Sequence, residues 1–340
     1  MGAKDLKELL EGERVELEAL RGVLAVDAYN TLYQFATTIR QPDGSQLTDS
    51  QGRVTSHLSG LFYRTCALLE KGVKPVYVFD GKPSVLKKQT IARRVEKKEE
   101  AEELRQKALD EGRLADAARL AQRTTRLTRE MVGEAEKLLE LMGLPWVQAP
   151  SEGEAQCALM AAEQGVVLAA ATQDFDALLF GAPVLVRNLT LAGKRRLPGG
   201  RGFVEVVPER YYLEKELKRL ELTRKQLIWI GLLCGTDFNA GVSGVGPKKS
   251  LKLVREHDSL KGVCAALKED YESFKEVEEL FLHPKAAKTS ALEFKEPDNA
   301  KIMEFMCDER DFSEERVNNA LRRAFNQPLD ESQGTLKKWV

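Results

Sequence analysis

Seven carboxylates stand where predicted elements end or begin: Asp27, Asp80, Glu152, Glu154, Asp174, Asp176 and Asp237. Carboxylates gathered in one cleft repel one another unless they are protonated or bridged by cations. At neutral pH a divalent cation is the simpler remedy, and oxygen-only ligands suit Mg²⁺ or Mn²⁺. Two such ions about 3.5–4 Å apart can activate a water and stabilise the leaving oxygen of a phosphodiester. Histidine chemistry fits poorly, because the chain has only His57, His257 and His283. Its five cysteines (Cys66, Cys157, Cys234, Cys264 and Cys307) lack pairwise metal spacing. They read as small buried hydrophobes of a reducing compartment.

Each acid also has a plainer reading. An Asp after a strand is commonly a turn or cap residue. Ser151-Glu152-Gly153-Glu154 fits a capping box, with Ser151 as N-cap and Glu154 reaching back. Asp174 and Asp176 fit as caps of a following helix. Residues two apart on a regular helix do not share a face, so Glu152 and Glu154 converge only at an irregular helix start. From spacing alone, both readings stand.

The elements that must position these acids follow from the apolar runs. Residues 23–26 stop at Asp27-Ala28, and 76–79 stop at Asp80-Gly81. Residues 166–171 stop at Thr172-Gln173-Asp174. Short β-branched and aromatic runs of this kind predict buried parallel strands, with 184–186 and 203–207 as weaker candidates. Helical patterns run over roughly 54–71, 130–143, 151–164 and 223–234. The alternation predicts an α/β fold with a mainly parallel central sheet flanked by helices. In such a sheet ligands bind at the carboxyl ends of the strands, where Asp27, Asp80 and the Asp174/Asp176 pair belong.

Residues 84–130 differ in texture, with no strand signal and thirteen Lys or Arg against nine Asp or Glu. They predict a long charged helical excursion, whose plainer reading is a solvated hairpin. Residues 241–257 are a glycine turn entering a basic helix with Pro247 at its first position. Beyond 258 the chain reads as mostly helical, with an acidic stretch at 269–280. Residues 326–340 read as a mobile tail.

The 340 residues are 43% hydrophobic, enough for one large core or two modest ones. With 52 Lys+Arg against 53 Asp+Glu the net charge is −1, which excludes a histone-like binder and an acidic disordered chain. The balance is an average over segregated charge: setting the seven acids aside leaves cations in excess. No run approaches the roughly 18 apolar residues of a membrane helix, and the N-terminus has no apolar signal core. A cytoplasmic protein without a membrane partner is expected.

The chain resembles the flap endonucleases, structure-specific nucleases of the XPG family. The resemblance is carried by LAVDAYNTLYQF (24–35), TSHLSGLFYRT (55–65), PVYVFDGKPSVLKKQTIARR (75–94), APSEGEAQCALMA (149–161), TQDFDALLFGAPVLVRNLT (172–190), LCGTDFNAGVSGVGPKKSLKLV (233–254) and CDERDFSEERV (307–317). It implies a PIN-like nuclease fold with a helical arch and a helix–turn–helix DNA-binding hairpin. One nuclease domain over 1–325 is expected: an N-terminal region at about 1–98, the arch at about 84–130, an internal region at about 116–258 with the hairpin at about 223–257, and C-terminal helices at 258–325. The activity implied is 5′ flap endonuclease and 5′–3′ exonuclease cleavage of branched DNA in replication and repair.

The same resemblance implies that the seven carboxylates hold two Mg²⁺ or Mn²⁺ ions. Asp27, Asp80, Glu152 and Glu154 fall nearer one ion; Asp174, Asp176 and Asp237 fall nearer the other, with Glu154 shared. It puts Lys87 and Arg94 beside the scissile phosphate, where cations stabilise developing charge. Seven apart, they share a helix face. Tyr33 matches an aromatic that stacks on a base near the cut, against a plainer role in core packing.

Gly244, Gly246, Lys248, Lys249 and Lys252 match a hairpin that grips duplex phosphates and holds a K⁺ ion. Glycine permits close approach, and helix-start N–H groups favour an anion. Arg187, with Lys194, Arg195, Arg196 and Arg201, forms another basic stretch suited to duplex backbone. The segment 41–60 corresponds to a wedge at the duplex junction, and Arg310 to a cation holding a 3′ flap. The tail resembles a sliding-clamp motif built from Gln333, Leu336, Trp339 and Val340, although Val340 stands where the family usually has an aromatic. An archaeal-like, nucleoid-associated monomer is expected. Two alternatives remain beside this reading: a related exonuclease of the superfamily, and a catalytically silent branched-DNA-binding clamp adaptor.

Overall fold

The structure is a computed structural model that describes residues 3–41, 44–163, 165–196, 202–289 and 291–325. The chain divides into two compact units, each assembled from three separate stretches. The first comprises Met1–Asp27, Val78–Thr90 and Gln148–Ser290; the second comprises Ala28–Tyr77, Ile91–Val147 and Ala291–Val340.

The strands in chain order are β1 (Glu13–Arg14), β2 (Gly22–Asp27), β3 (Val73–Phe79), β4 (Trp146–Gln148), β5 (Ala169–Ala171), β6 (Val184–Arg187), β7 (Gly193–Arg196), β8 (Phe203–Val206) and β9 (Glu209–Tyr212). Seven of them form one sheet in the order β1-β9-β6-β5-β2-β3-β4. Strands β2, β5 and β6 run parallel, with Leu24 opposite Ala169 and Ala170 opposite Leu185. Residues 23–27 of β2 and all of β5 are buried, as expected of strands covered on both faces.

The expected parallel pairing holds in the centre of a mixed sheet, at whose one side β9 runs antiparallel to β6 and β1 antiparallel to β9. Two of the expected strands differ. Of 166–171 only Ala169–Ala171 form the strand, with the Leu168 N–H donating to Val23 O at 2.8 Å just before it. Residues 203–206 pair with β7 in a separate two-stranded hairpin.

The helices are α1 (Ala28–Thr38), α2 (Ser56–Glu70), α3 (Lys88–Asp110), α4 (Leu114–Arg123), α5 (Arg129–Leu141), α6 (Gly153–Ala162), α7 (Asp176–Leu179), α8 (Leu213–Leu220), α9 (Arg224–Cys234), α10 (Pro247–Glu256), α11 (Leu260–Leu267), α12 (Tyr271–Leu282), α13 (Asn299–Met303) and α14 (Glu314–Phe325). In the first unit α6 packs on β2 and β5. Phe180, Phe238 and Phe281 form a tilted and edge-to-face cluster with centroids 4.7–6.2 Å apart. In the second unit α1 lies so close on α2 that a methyl on Gly60 would sit 2.2 Å from the Phe35 ring.

The charged excursion resolves into the one-turn 3-10 helix Val85–Lys87 followed by α3 and α4. The bend between α3 and α4 contains Gly112, whose φ of +69° only glycine adopts without strain. α3 is exposed over most of its length and buries only Ala101 and Ala108. The capping box expected at Ser151 is absent. Helix α6 begins at Gly153 with Glu152 as N-cap and no side-chain cap, and the Ser151 hydroxyl instead donates to the Lys82 carbonyl. A genuine capping box stands at α9, between Thr223 and Gln226.

Candidate active site

The parallel register brings the strand ends level. Val26 pairs with Ala171, so the next residues, Asp27 and Thr172, face each other, and the Thr172 hydroxyl donates to Asp27 Oδ2 at 3.1 Å. Asp80 follows β3. Its Oδ1 accepts the Gly153 N–H at 2.6 Å, at the start of α6. That approach needs glycine, since a Cβ at Gly153 would sit 2.7 Å from the same oxygen. Gly81 N–H closes the turn on the Ser151 carbonyl at 2.6 Å. The Glu152 and Glu154 pair thus arrives on a helix start pinned to the Asp80 turn, which is the irregular start their spacing demanded.

Asp174 and Asp176 occupy the short turn from β5 into α7, with Asp176 at 1% exposure. Asp176 Oδ1 accepts the Ala3 N–H at 2.7 Å, whereas its Oδ2 is buried without a hydrogen-bond partner. Asp237 follows α9 in a turn held by Thr236 and Asn239, where Asn239 donates to Leu232 O at 2.7 Å. Among these acids lies Lys87. Its ammonium is 2.5 Å from Glu152 Oε2, 3.6 Å from Asp237 Oδ2 and 5.7 Å from the Phe238 centroid.

The electrostatics tie the seven into one cluster. Burial raises the Asp80 carboxyl, helped by the Glu152 and Asp237 charges and opposed by Lys87 and the Gly153 N–H. Burial, then Asp174, Asp176 and Asp27, hold Glu154 well above the usual range. Burial and the neighbouring Asp174 push Asp176 up to about 7. Burial pulls the Lys87 ammonium down, but Glu152, Glu154 and Asp80 outweigh it and keep the group charged.

Among the described residues no three His, Cys, Asp or Glu side chains close around one point at ligand spacing. Lys87, Ala3 and Gly153 each hold one carboxylate oxygen of the set. The chemistry still fits hard divalent cations, with an oxygen-only donor set, an excess of buried negative charge and the unpartnered Asp176 Oδ2.

The remaining candidates separate. Arg94 is exposed on α3 and belongs, with Tyr33 on α1, to the second unit. Tyr33 is half-buried, with Lys98 Nζ 5.0 Å from its ring centroid. In the first unit, Gly244 has φ +73° and Gly246 is the N-cap of α10, and a Cβ at either would meet nothing within 4 Å. Lys248, Lys249 and Lys252 are exposed on α10, and Lys252 pairs with Glu256 at 3.7 Å.

Arg187 is committed internally. It donates to Gln173 O at 3.0 Å, stacks 4.3 Å from the Phe175 centroid and pairs with Glu209 at 3.7 Å. Its geometry is that of a brace for the Asp174 turn rather than of a surface cation. Arg310 is likewise 10% exposed and bound to Glu134 at 2.6 and 3.0 Å. Gln333, Leu336, Trp339, Val340 and Arg201 lie outside the described residues.

Thr172, Gly153 and the Ala3 N–H were not legible as site groups. Thr172 carried a faint signal as the residue directly after a buried strand.

The sequence profile of the XPG N-terminal domain matches residues 1–101, and that of the XPG I-region matches 143–237. The chain is 50% identical over 334 residues to Flap endonuclease 1 of Pyrococcus furiosus, covering 98% of this chain and 97% of that protein. It is 49% identical over 340 residues to Flap endonuclease 1 of Archaeoglobus fulgidus, covering all of both. Among solved structures, flap endonuclease-1 from Methanococcus jannaschii superposes with a TM-score of 0.74 at 38% identity, over 94% of this chain and 97% of that one. The catalytic core of Rad2 in complex with DNA substrate gives 0.70 at 26% identity, over 92% and 96%. The chain belongs to the flap endonuclease family of XPG-type nucleases.

Proposed function

We propose that the protein is a 5′ flap endonuclease and 5′–3′ exonuclease that hydrolyses phosphodiesters of branched DNA with two Mg²⁺ ions, Mn²⁺ substituting. The observation that carries this reading is the seven-carboxylate cluster with Lys87 inside it. Asp27, Asp80, Glu152 and Glu154 would hold one ion; Asp174, Asp176 and Asp237 would hold the other, with Glu154 between them. Ions bound there supply an activated water and neutralise the leaving oxygen. The chain's own groups then have distinct tasks. Thr172 and the Gly153 N–H orient Asp27 and Asp80. Lys87, charged and held between Glu152 and Asp237, is a cation that a bound phosphate can draw toward itself. Arg94 is proposed as its partner at the phosphate, and Tyr33 as a platform for an unpaired base.

Duplex phosphates are proposed to sit at the α10 start. Gly246 has an ordinary φ of −92° and open space around it, so the fold itself does not demand glycine there. A ligand that approaches the backbone closely would. Lys248, Lys249 and Lys252 supply the charge, and a K⁺ ion in the preceding turn is part of the same proposal. The tail residues Gln333, Leu336, Trp339 and Val340 are proposed to bind a sliding clamp, and the protein to act as a monomer at the nucleoid. No helix among the described residues is long and apolar enough to cross a membrane.

The test is cleavage of a 5′-flap substrate in Mg²⁺ by Asp80→Ala and Asp174→Ala. Loss of cutting with DNA binding retained supports the reading, and wild-type cutting overturns it. Truncation after Gln327 is expected to abolish clamp binding while clamp-free cleavage persists.

A further inference from the structure

The amino-terminal part of α3 has almost nothing to rest on. Residues 91–97 are all exposed, and Lys98 is the first side chain of that stretch to turn inward. From there the inward positions recur at helical spacing, through Ala101, Arg105 and Ala108. What Lys98 meets is the Tyr33 ring on α1, with Nζ 5.0 Å from its centroid, inside the range of an attractive cation–π contact. The contact is made in unfavourable electrostatic company. Burial and the charges of Arg126 and Arg94 all pull the Lys98 pKa down, so the ring face offsets part of the cost of holding an ammonium there. Tyr33 is half-buried, and its neighbour Phe35 is the residue of α1 that fills the α1–α2 interface.

We propose that Lys98 is a positioning residue for Tyr33: in the DNA-free protein its ammonium caps the ring face on which an unpaired nucleobase stacks, and the base takes its place. The inference rests on the proposed function, in which Tyr33 receives a base beside the cut. Base–aromatic stacking and a partly desolvated cation–π contact are of similar strength, so the exchange is reversible and near balance. The displaced ammonium becomes available to the phosphate that accompanies the base, so binding releases one cation contact and makes another. Displacement also frees an inward anchor of α3, the helix that carries Arg94. Reading an unpaired base is thereby coupled to the freedom of the arch.

The experiment uses the full chain with ¹³C-labelled lysine, followed by NMR in EDTA so that DNA is bound without cleavage. Beside lysines that lie over other rings, such as Lys137 at 4.1 Å from the Phe305 centroid, the Lys98 ε-methylene resonance is expected to be shifted upfield by the Tyr33 ring current. It should be absent in Lys98→Arg and return to the common lysine position in Tyr33→Leu. Saturating 5′-flap DNA should move it to that common position, whereas fully paired blunt duplex should not. If no upfield resonance of the free protein is lost in Lys98→Arg, or if the one so assigned is unmoved by saturating flap DNA, the proposal is overturned. If the wild type cuts flaps while the resonance stays unmoved, the exchange fails alone. If the resonance behaves as expected in the free protein but no flap is cut or bound, the functional reading fails and the exchange falls with it.

Discussion

Lys87 Nζ lies 2.5 Å from Glu152 Oε2 and 3.6 Å from Asp237 Oδ2, so one ammonium bridges acids supplied by the start of α6 and the turn after α9. If that cation serves the transition state, Lys87→Met should lower the single-turnover rate of flap cleavage about 10²–10³-fold. Affinity for the same flap should change less than tenfold. A loss of affinity as large as the loss of rate would reduce Lys87 to a phosphate clamp.

Asp176, Asp80 and Glu154 are all raised by burial and like charge. Each folded group therefore holds its proton more tightly than the unfolded chain does. The sign follows: without divalent ions, their contribution to stability is greatest at low pH and is lost as pH rises from about 4. For Asp176 the loss continues through about 7. Chelator-treated Asp176→Asn should therefore lose less of its thermal midpoint between pH 5 and pH 8 than the wild type. Mg²⁺ should stabilise the wild type more at pH 8 than at pH 5. Parallel profiles for variant and wild type would remove Asp176 as their source.

Gly153→Ala inserts a methyl 2.7 Å from Asp80 Oδ1, an oxygen also held by the Gly153 N–H. Alanine is a better helix former than glycine, so the helix itself is not weakened. Displacement of Asp80 should cut flap cleavage at least tenfold at limiting Mg²⁺, with a partial return at higher Mg²⁺. Unchanged cleavage at limiting Mg²⁺ would show that Asp80 tolerates the shift.

Glu134 joins two buried partners, accepting from Arg310 at 2.6 and 3.0 Å and lying 3.0 Å from His57 Nε2. Removing it strands the Arg310 guanidinium at 10% exposure. Glu134→Ala should cost about 3–5 kcal/mol of stability, read from the denaturant midpoint, and Glu134→Gln should cost less. A midpoint shift under about 1 kcal/mol, the worth of a surface pair, would mean that Arg310 finds another partner.

The two hairpin glycines are separable. Gly244→Ala should cost about 1–2 kcal/mol because φ is +73° there. Gly246→Ala meets no atom at an ordinary φ and should leave stability unchanged. It should nonetheless weaken binding to nicked duplex several-fold. Full duplex affinity in Gly246→Ala would move the phosphate site elsewhere.

Much of the fold was legible. The runs at 23–26 and 76–79 were apolar enough that burial on both faces was their only outlet, and they form β2 and β3. The helical periodicities fall within a few residues of α2, α5, α6 and α9. Less legible were the two-residue edge strand β1 and its four-residue neighbour β9, both carrying charged residues, whose pairing is set by partners distant in sequence. The run at 203–207 carried a true strand signal but no information about which strand it would meet.

By itself the sequence determined which residue types were present and at which element ends they stood. That sufficed to offer the seven carboxylates as candidates, those of Asp27 and Asp80 because a strand stopping at Asp places it at a carboxyl edge, whereas Lys87 stood out only through the family resemblance. It left open whether Ser151 and Glu154 formed a capping box, and it gave no sign of what Arg187 and Arg310, offered for DNA contact, would pair with inside the protein. Only the tertiary structure decided these. Burial beside Phe175 and Glu209 commits Arg187, and Glu134 commits Arg310, through contacts that span up to 176 positions. The parallel register of β2 and β5, with Gly153 closing on Asp80, brings the acids together. Their pKa shifts arise from that proximity and from burial, neither of which local spacing specifies.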